Sequence, residues 1–188
     1  YHSYHGINAN GNVGTLLYIH ECEAGKYRRS PSCYRIDLLS ERFVKGKISF
    51  DDAVKIVMEK KIVNVPDCSM HVMLSDRNGR VLIADPGIGY KVEKERYSLL
   101  TNYSVLDPES TKPYITPGDD PYERAKEILE KAGSDFDVTD ALHLLKEVSQ
   151  EGLWATRVSF VYAVSENKVY YVLNNNFANV LEHQLCNS

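Results

Sequence analysis

Asn102 and Arg124 are polar side chains at positions where a polar group needs a partner. Asn102 follows a predicted apolar strand, Tyr97 to Thr101, so its amide must be hydrogen-bonded or open to a cleft. A neutral, fixed amide is also a good hydrogen-bond donor to an oxyanion. Arg124 lies near the start of a predicted helix, where the helix dipole disfavours a cation unless a carboxylate or a substrate compensates. The two positions predict a polar site, and an ordinary surface arginine is the alternative for Arg124.

A long irregular connection separates these two residues. Sixteen residues, 102 to 117, show neither helical nor strand periodicity, and loops of this length are usually functional or disordered. The connection closes at Pro117-Gly118-Asp119, just before a helix that Asp120-Pro121 opens. We interpret it as the wall of a pocket.

Other chemistries find little support in the sequence. No nucleophile-elbow, phosphate-loop or dinucleotide-binding glycine pattern occurs, so no cofactor is expected. The six histidines are scattered, apart from His2 and His5 in a Gly- and Ser-containing segment that disfavours a helix, and no metal site is expected. The carboxylate pairs Asp51-Asp52 and Asp119-Asp120 fall at predicted helix starts, where the helix dipole explains them without catalysis.

The four cysteines, at positions 22, 33, 68 and 186, match no zinc-binding spacing. Two disulfides are arithmetically available, but a domain of this size does not need them. Cys22 and Cys33, which flank one loop, form the best disulfide candidate, and incidental or buried thiols are the simpler alternative.

Composition excludes several classes of protein. A formal charge of −4 and a pI near 5.9 argue against a nucleic-acid partner. No apolar run approaches the roughly 18 residues of a membrane span, so no membrane partner is expected. The N-terminal residues contain neither an initiator Met nor a signal-peptide core, which predicts a processed chain or a fragment, located in the cytoplasm. We expect one domain over residues 1–188.

Hydrophobic periodicity predicts an α+β fold. A strand over Val13 to His20 precedes helices over Cys33 to Val44 and after Ser49, where Ser49 and Asp52 form a capping box and Ala53, Val54, Val57 and Met58 share one face. Hairpins are predicted around Asp76 to Gly79 and around Ser165 to Lys168. Shorter strands over Tyr90 to Glu93 and Tyr97 to Thr101 precede helices from Pro121 and over Thr139 to Ser149, the latter burying Leu142, Leu145 and Val148. Strand runs alternating with helix pairs indicate antiparallel sheets covered by helices.

Several short motifs in this order resemble the linear amide C–N hydrolases, the choloylglycine hydrolase and penicillin V acylase group. They are Asn8-Ala9-Asn10-Gly11 before a strand, Leu100-Thr101-Asn102, Pro117-Gly118-Asp119 with Arg124 behind it, and Thr156-Arg157 before the last hairpin. The resemblance implies an N-terminal-nucleophile hydrolase fold, an αββα sandwich of antiparallel sheets. It also implies a small-molecule amide substrate and a Cys nucleophile whose own α-amino group acts as the base.

The resemblance also implies roles for individual residues. Asn102 matches an Asn that helps to hold the tetrahedral oxyanion, and Tyr18 falls where a second oxyanion-side group occurs, as in the acylase members. Arg124 matches an arginine that sits by the nucleophile and could lower the pKa of its thiol. Arg157 is a weaker match for substrate binding, and a structural ion pair is the alternative there.

One departure from the family pattern is large. The nucleophilic Cys of that family precedes the Asn-x-x-Gly turn by a few dozen residues, whereas this sequence starts just before the turn, and none of its cysteines has a matching context. We therefore expect an amidase domain truncated at its N-terminus, whose exposed strand edges favour a homo-oligomer. The competing hypothesis is a catalytically inactive remnant that binds an acyl or amide ligand or a protein partner.

Overall fold

The computed structural model describes residues 5–111 and 120–186. The chain divides into two compact units, Tyr1–Tyr114 and Ile115–Ser188. The first unit contains, in chain order, β1 (His5–Ile7), β2 (Val13–Tyr18), β3 (Cys33–Arg35), α1 (Ile36–Val44), α2 (Phe50–Glu59), β4 (Lys61–Val63), β5 (Met70–Ser75), β6 (Val81–Asp85), β7 (Gly89–Glu93) and α3 (Pro108–Thr111). The second contains α4 (Pro121–Lys131), α5 (Val138–Glu147), β8 (Val158–Ala163), β9 (Lys168–Leu173) and β10 (Leu181–Gln184).

The centre of the first unit is an antiparallel five-stranded sheet with the order β1-β2-β5-β6-β7. Because side chains alternate along a strand, the even-numbered positions of β5 and β6 share one face. On that face they form the hydrophobic core with α1 and α2, which contribute Leu39, Phe43, Ala53 and Val57. The odd-numbered positions, including His71, Ile83 and Asp85, lie on the opposite face.

Local signals for α2 and for the first turn are confirmed. Ser49 Oγ accepts from the backbone N–H of Asp52, and the Asp52 carboxylate accepts from the backbone N–H of Ser49. Asn8 closes the turn between β1 and β2 by accepting from the backbone of Asn10 and Asn12, and its amide donates to the carbonyl of Val44 at 2.7 Å. The Asn8-Ala9-Asn10-Gly11 motif thus ties the first hairpin to the end of α1.

Three predicted features of the first unit are wrong. The helix expected from Cys33 begins at Ile36, because Cys33–Arg35 instead pairs in parallel with β4. Met58, expected on the buried face of α2, is 65% exposed, since it lies one further position, about 100°, around the helix from Val57. The segment expected as a strand from Tyr97 to Thr101 has no ladder and is irregular.

Side chains hold that irregular segment in place of a ladder. Ser98 Oγ donates to Glu93 Oε1 at 2.6 Å, and the His71 imidazole bonds to the carbonyl of Thr101 at 2.6 Å. Burial alone would raise the pKa of Glu93, but hydrogen bonds from Lys91 and Ser98 outweigh it and hold the pKa below its usual value. The backbone before Asn102 is therefore fixed by side-chain contacts.

The second unit is built on an antiparallel three-stranded sheet with the order β10-β9-β8. The predicted hairpin between β8 and β9 is confirmed, and Asn167 in its turn has a φ of 53°. Asp120 caps α4 through the backbone of Tyr122, with Pro121 in the first turn as predicted. The predicted burial of Leu142, Leu145 and Val148 is wrong, because all three are half-buried. None of the helices in residues 5–111 and 120–186 is long and apolar enough to cross a membrane.

A close backbone approach in the first unit gives a test of packing. Gly87 has a φ of 77°, and a Cβ there would clash with the backbone nitrogen of Gly25. Gly79 has a similar φ of 74° but open space around it. We expect Gly79→Ala to cost roughly 1–2 kcal/mol of unfolding free energy for left-handed strain, and Gly87→Ala to cost about 1–3 kcal/mol more for the clash. Urea unfolding of both variants measures the difference, and equal losses would contradict this packing.

The turn between β5 and β6 gives a test of pH dependence. Burial raises the pKa of Asp76, but the side chain and backbone of Arg80 and the backbone of Asn78 donate to its carboxylate and leave the pKa below its usual value. A carboxylate whose pKa is lower in the folded than in the unfolded state stabilises the folded protein at pH values above the unfolded pKa of about 3.9. This stabilisation is lost as the pH falls through the pKa of the folded state.

Asp76→Asn should therefore lower the unfolding free energy by about 1–2 kcal/mol at neutral pH. The difference from wild type should shrink as pH falls through the lowered pKa of Asp76, below which both side chains are neutral. Asp67→Asn, at an exposed turn residue with a φ of 61° that Asn also tolerates, is the control. A loss for Asp76→Asn that does not change with pH would show that the charge of Asp76 contributes nothing.

Candidate functional site

Two of the predicted site residues meet directly. Asn102 Nδ2 donates to the backbone carbonyl of Tyr18 at 3.0 Å, although the two residues are 84 positions apart in the sequence. Asn102 is exposed, and the Tyr18 side chain is 53% exposed and contacts the ring of His20 edge-on. An amide nitrogen carries two hydrogens, so the contact with Tyr18 uses one of them.

A cavity of about 510 Å³ opens beside this contact, and Tyr18 is part of its lining. Its wall is mixed, which suits a ligand with an apolar body and a polar end. The other lining residues are Glu21, Lys26, Tyr27, Val65, Pro66, Asp67, Cys68 and Ser69. A second cavity of about 380 Å³, with Arg28, Lys60 and Lys61 in its lining, includes none of the four predicted site residues.

The loop at the floor of the larger cavity is held by Asn64, which is 1% exposed. Its Oδ1 accepts from the backbone N–H of Met70 at 2.9 Å, and its Nδ2 donates to Ser69 Oγ at 3.1 Å. Both polar ends of a buried amide are thereby satisfied, which rigidifies the residues that form this wall.

Behind Asn102 lies a buried polar cluster that the sequence did not predict. His71, Asp85 and Ser104 are each at most 1% exposed. His71 Nε2 lies 2.6 Å from the carbonyl oxygen of Thr101, and His71 Nδ1 lies 3.1 Å from Asp85 Oδ1. Ser104 Oγ donates to Asp85 Oδ2. His71 and Asp85 lie on the sheet face opposite α1 and α2, where they bond to Thr101 and Ser104.

A signal for this cluster exists in the sequence. The Asp76–Gly79 turn fixes the register of the hairpin, pairing Val72 with Ala84 and Ser75 with Val81. The same register continued by one position places His71 opposite Asp85. A histidine facing an aspartate in an otherwise apolar hairpin predicts a buried pair, because an isolated buried charge is costly.

The other two predicted residues lie in the second unit. Arg124 donates to the backbone carbonyl of Glu147 at 2.7 Å, which gives this cation near a helix start a structural partner. Arg157 is exposed and immediately precedes β8, and its carbonyl accepts from the backbone of Asn174. Pro117-Gly118-Asp119 lies outside the described residues. The roles assigned to Tyr18, Asn102, Arg124 and Arg157 remain predictions.

All four cysteines are free thiols, so the candidate disulfide between Cys22 and Cys33 is not formed and the simpler alternative holds. Cys22 instead places its sulfur 4.0 Å from the carbonyl oxygen of Gly87. Cys68 lines the larger cavity. Across residues 5–111 and 120–186, no three metal-binding side chains are grouped closely enough to hold a metal ion.

Comparison with known proteins defines the fold. No protein-family model matches the chain, and no curated protein matches it. Solved structures do match it across nearly its whole length, and they share mixed α/β architecture with antiparallel sheets. The chain has the fold of the N-terminal-nucleophile hydrolases, as its sequence predicted.

The similar structures include a conjugated bile acid hydrolase and a penicillin V acylase. A variant of the conjugated bile acid hydrolase from Clostridium perfringens is 13% identical with a TM-score of 0.73, covering 97% of this chain and 72% of its own. A second variant of that enzyme has a TM-score of 0.71. The penicillin V acylase from Agrobacterium tumefaciens is 16% identical with a TM-score of 0.68, covering 92% of this chain and 63% of its own. At such identities the likeness establishes the fold and leaves the activity open.

Proposed function

We propose that these 188 residues form the scaffold and the oxyanion side of an amide hydrolase that cleaves linear C–N bonds. Its nucleophile is an N-terminal Cys contributed by a segment outside residues 1–188. The observation that carries the proposal is the 3.0 Å hydrogen bond by which Asn102 meets Tyr18 beside the larger cavity. The fold shared with a conjugated bile acid hydrolase and a penicillin V acylase supports the reaction class.

The geometry suits stabilisation of a developing oxyanion. When a thiolate attacks an amide carbonyl, the carbonyl oxygen becomes an anion that needs fixed donors. Asn102 has one N–H on the Tyr18 carbonyl, which orients the amide plane, and its second N–H is directed by that same plane. We assign the phenolic hydroxyl of Tyr18, whose side chain is exposed and lines the cavity, as a second donor. The C–N bond then breaks with protonation of the leaving amine, and water hydrolyses the acyl-Cys.

Two arginines have supporting roles in the proposed reaction. Arg124 stabilises the thiolate, since a neighbouring cation lowers a thiol pKa. A guanidinium has five N–H donors, so the hydrogen bond to Glu147 is compatible with this role. Arg157 binds the acyl substrate or its carboxylate. None of the cysteines at positions 22, 33, 68 and 186 is the nucleophile in this proposal.

The coding sequence upstream of Tyr1 is the first test. A Cys that follows the initiator Met, or that propeptide removal exposes, supports an amidase. The 188-residue chain extended by that upstream segment, the enlarged enzyme, should hydrolyse penicillin V or conjugated bile acids. The 188-residue chain alone should not. An upstream sequence without such a Cys would favour a ligand-binding or partner-binding protein, and turnover that depends on Cys22 or Cys33 would contradict our assignment of the nucleophile.

Asn102→Ala in the enlarged enzyme should lower kcat by roughly 10²–10³-fold, as loss of one oxyanion donor does elsewhere. The reason is that this donor acts on charge present in the transition state, so KM should change much less. Steady-state amide hydrolysis measures both constants. Asn179→Ala, which removes an exposed amide in the second unit, is the matched control. Full turnover by Asn102→Ala would remove Asn102 from the site.

A further inference from the structure

The buried cluster behind Asn102 has hydrogen-bonding directions that its chemistry fixes. A carbonyl oxygen accepts only, so His71 Nε2 must carry a hydrogen directed at Thr101, 2.6 Å away. Ser104 Oγ accepts from the backbone N–H groups of Leu106 at 3.1 Å and Asp107 at 3.0 Å. Its own hydrogen is therefore left for Asp85 Oδ2, to which it donates.

A single hydrogen remains to be placed, between His71 Nδ1 and Asp85 Oδ1 at 3.1 Å. If it lies on the nitrogen, the pair is imidazolium and carboxylate, and if it lies on the oxygen, the pair is neutral imidazole and carboxylic acid. Both arrangements contain the same number of protons and have zero net charge. A net-neutral, fully bonded pair avoids the high cost of an unpaired buried charge.

The cluster reaches the candidate site through one peptide unit. His71 holds the carbonyl of Thr101, and the next residue, Asn102, donates its amide to Tyr18. His71 and Tyr18, the two residues that hold this segment, lie close together, because β2 and β5 pair Leu17 with His71 and Tyr18 with Met70. Ser104 is fixed on the other side of Asn102, where its backbone N–H donates to Thr111 Oγ1 at 2.7 Å. Residues 101–104 are thus held at both ends, with the Asn102 side chain exposed between them.

We propose that His71 is a positioning residue for Asn102, and that Asp85 and Ser104 fix the imidazole so that Nε2–H always points at Thr101. The inference rests on the proposed function for what Asn102 does in catalysis. The positioning itself does not depend on that function, and the two can be tested separately.

The first measurement concerns the imidazole of the 188-residue chain. Long-range proton–nitrogen correlation spectra distinguish a protonated from an unprotonated ring nitrogen. We expect Nε2 of His71 to carry a hydrogen in the folded chain, because the Thr101 carbonyl can only accept. An unprotonated Nε2 would overturn the proposal, because Thr101 would then have no donor.

Variants separate positioning from general stability. His71→Leu removes the donor, and Asp85→Ala removes its support, so the side-chain amide signals of Asn102 should shift and its hydrogens should exchange faster. Asp85→Asn should retain the wild-type signals, because its Nδ2 can donate to Nδ1 of neutral His71 while its Oδ1 accepts from Ser104. Ile83→Ala is the matched control, since Ile83 is 2% exposed on the same sheet face and its side chain has no hydrogen-bonding group.

Unchanged Asn102 signals in His71→Leu, or equal shifts in Ile83→Ala, would show a merely structural role. If His71→Leu does not fold, the imidazole spectra together with the comparison of Asp85→Asn and Ile83→Ala decide the question. In the enlarged enzyme, His71→Leu should lower kcat by about 10- to 100-fold with KM nearly constant, as a misplaced catalytic group does. Asp85→Asn should lie within a few fold of wild type.

Failure of the positioning proposal and failure of the proposed function give different results. An enlarged protein without amidase activity, whose Asn102 signals still respond to His71→Leu, would refute the function and leave the positioning intact. An active amidase whose Asn102 signals and kcat are unaffected by His71→Leu would retain the function and refute the positioning.

Discussion

The hydrogen-bonded chain from Thr101 through His71 and Asp85 to Ser104 is the constraint on which the shape of the candidate site depends. Residues 97–101 have no strand ladder, so their backbone would otherwise be free to move across the sheet. A 2.6 Å bond from a fully buried imidazole fixes the Thr101 carbonyl instead. A buried donor without its acceptor is costly, so the buried imidazole keeps its hydrogen bond to Thr101 as long as the segment is folded. This arrangement fixes the position of Asn102.

Features with local causes could be predicted from the sequence. The two hairpins, the capping box of Ser49 and Asp52 and the Pro121 helix start depend on residues a few positions apart, and all are present. Strands β1, β3, β4 and β10 were missed because each is short and is defined by a partner elsewhere in the chain. The strand predicted over Tyr97 to Thr101 was wrong for the opposite reason. Its composition is typical of a strand, but its backbone pairs with no neighbouring strand and is held by side chains instead.

In the candidate site, too, some residues could be predicted from the sequence and others could not. Asn102 and Tyr18 came from an ordered set of short motifs, and the structure brings these two distant positions into contact. Nothing local to His71 or Asp85 marks either residue, because each belongs to an apolar strand. Their relationship becomes visible only when the hairpin register is written out and continued by one position, which places one opposite the other. Pairing across a sheet therefore carries functional information that motif order does not.

The identity of the buried donor also follows from physical limits. A lysine or arginine at position 71 could donate to Thr101, but it would need a fully ionised partner to avoid burying a net charge. The side chain of a serine or threonine would be too short to reach from β5 to the carbonyl of Thr101. Histidine has two nitrogens on opposite sides of a rigid ring, so one can bond Asp85 while the other bonds Thr101. A neutral His–Asp pair thus supplies a directed N–H to the backbone behind Asn102 without adding a net charge close to a proposed oxyanion donor.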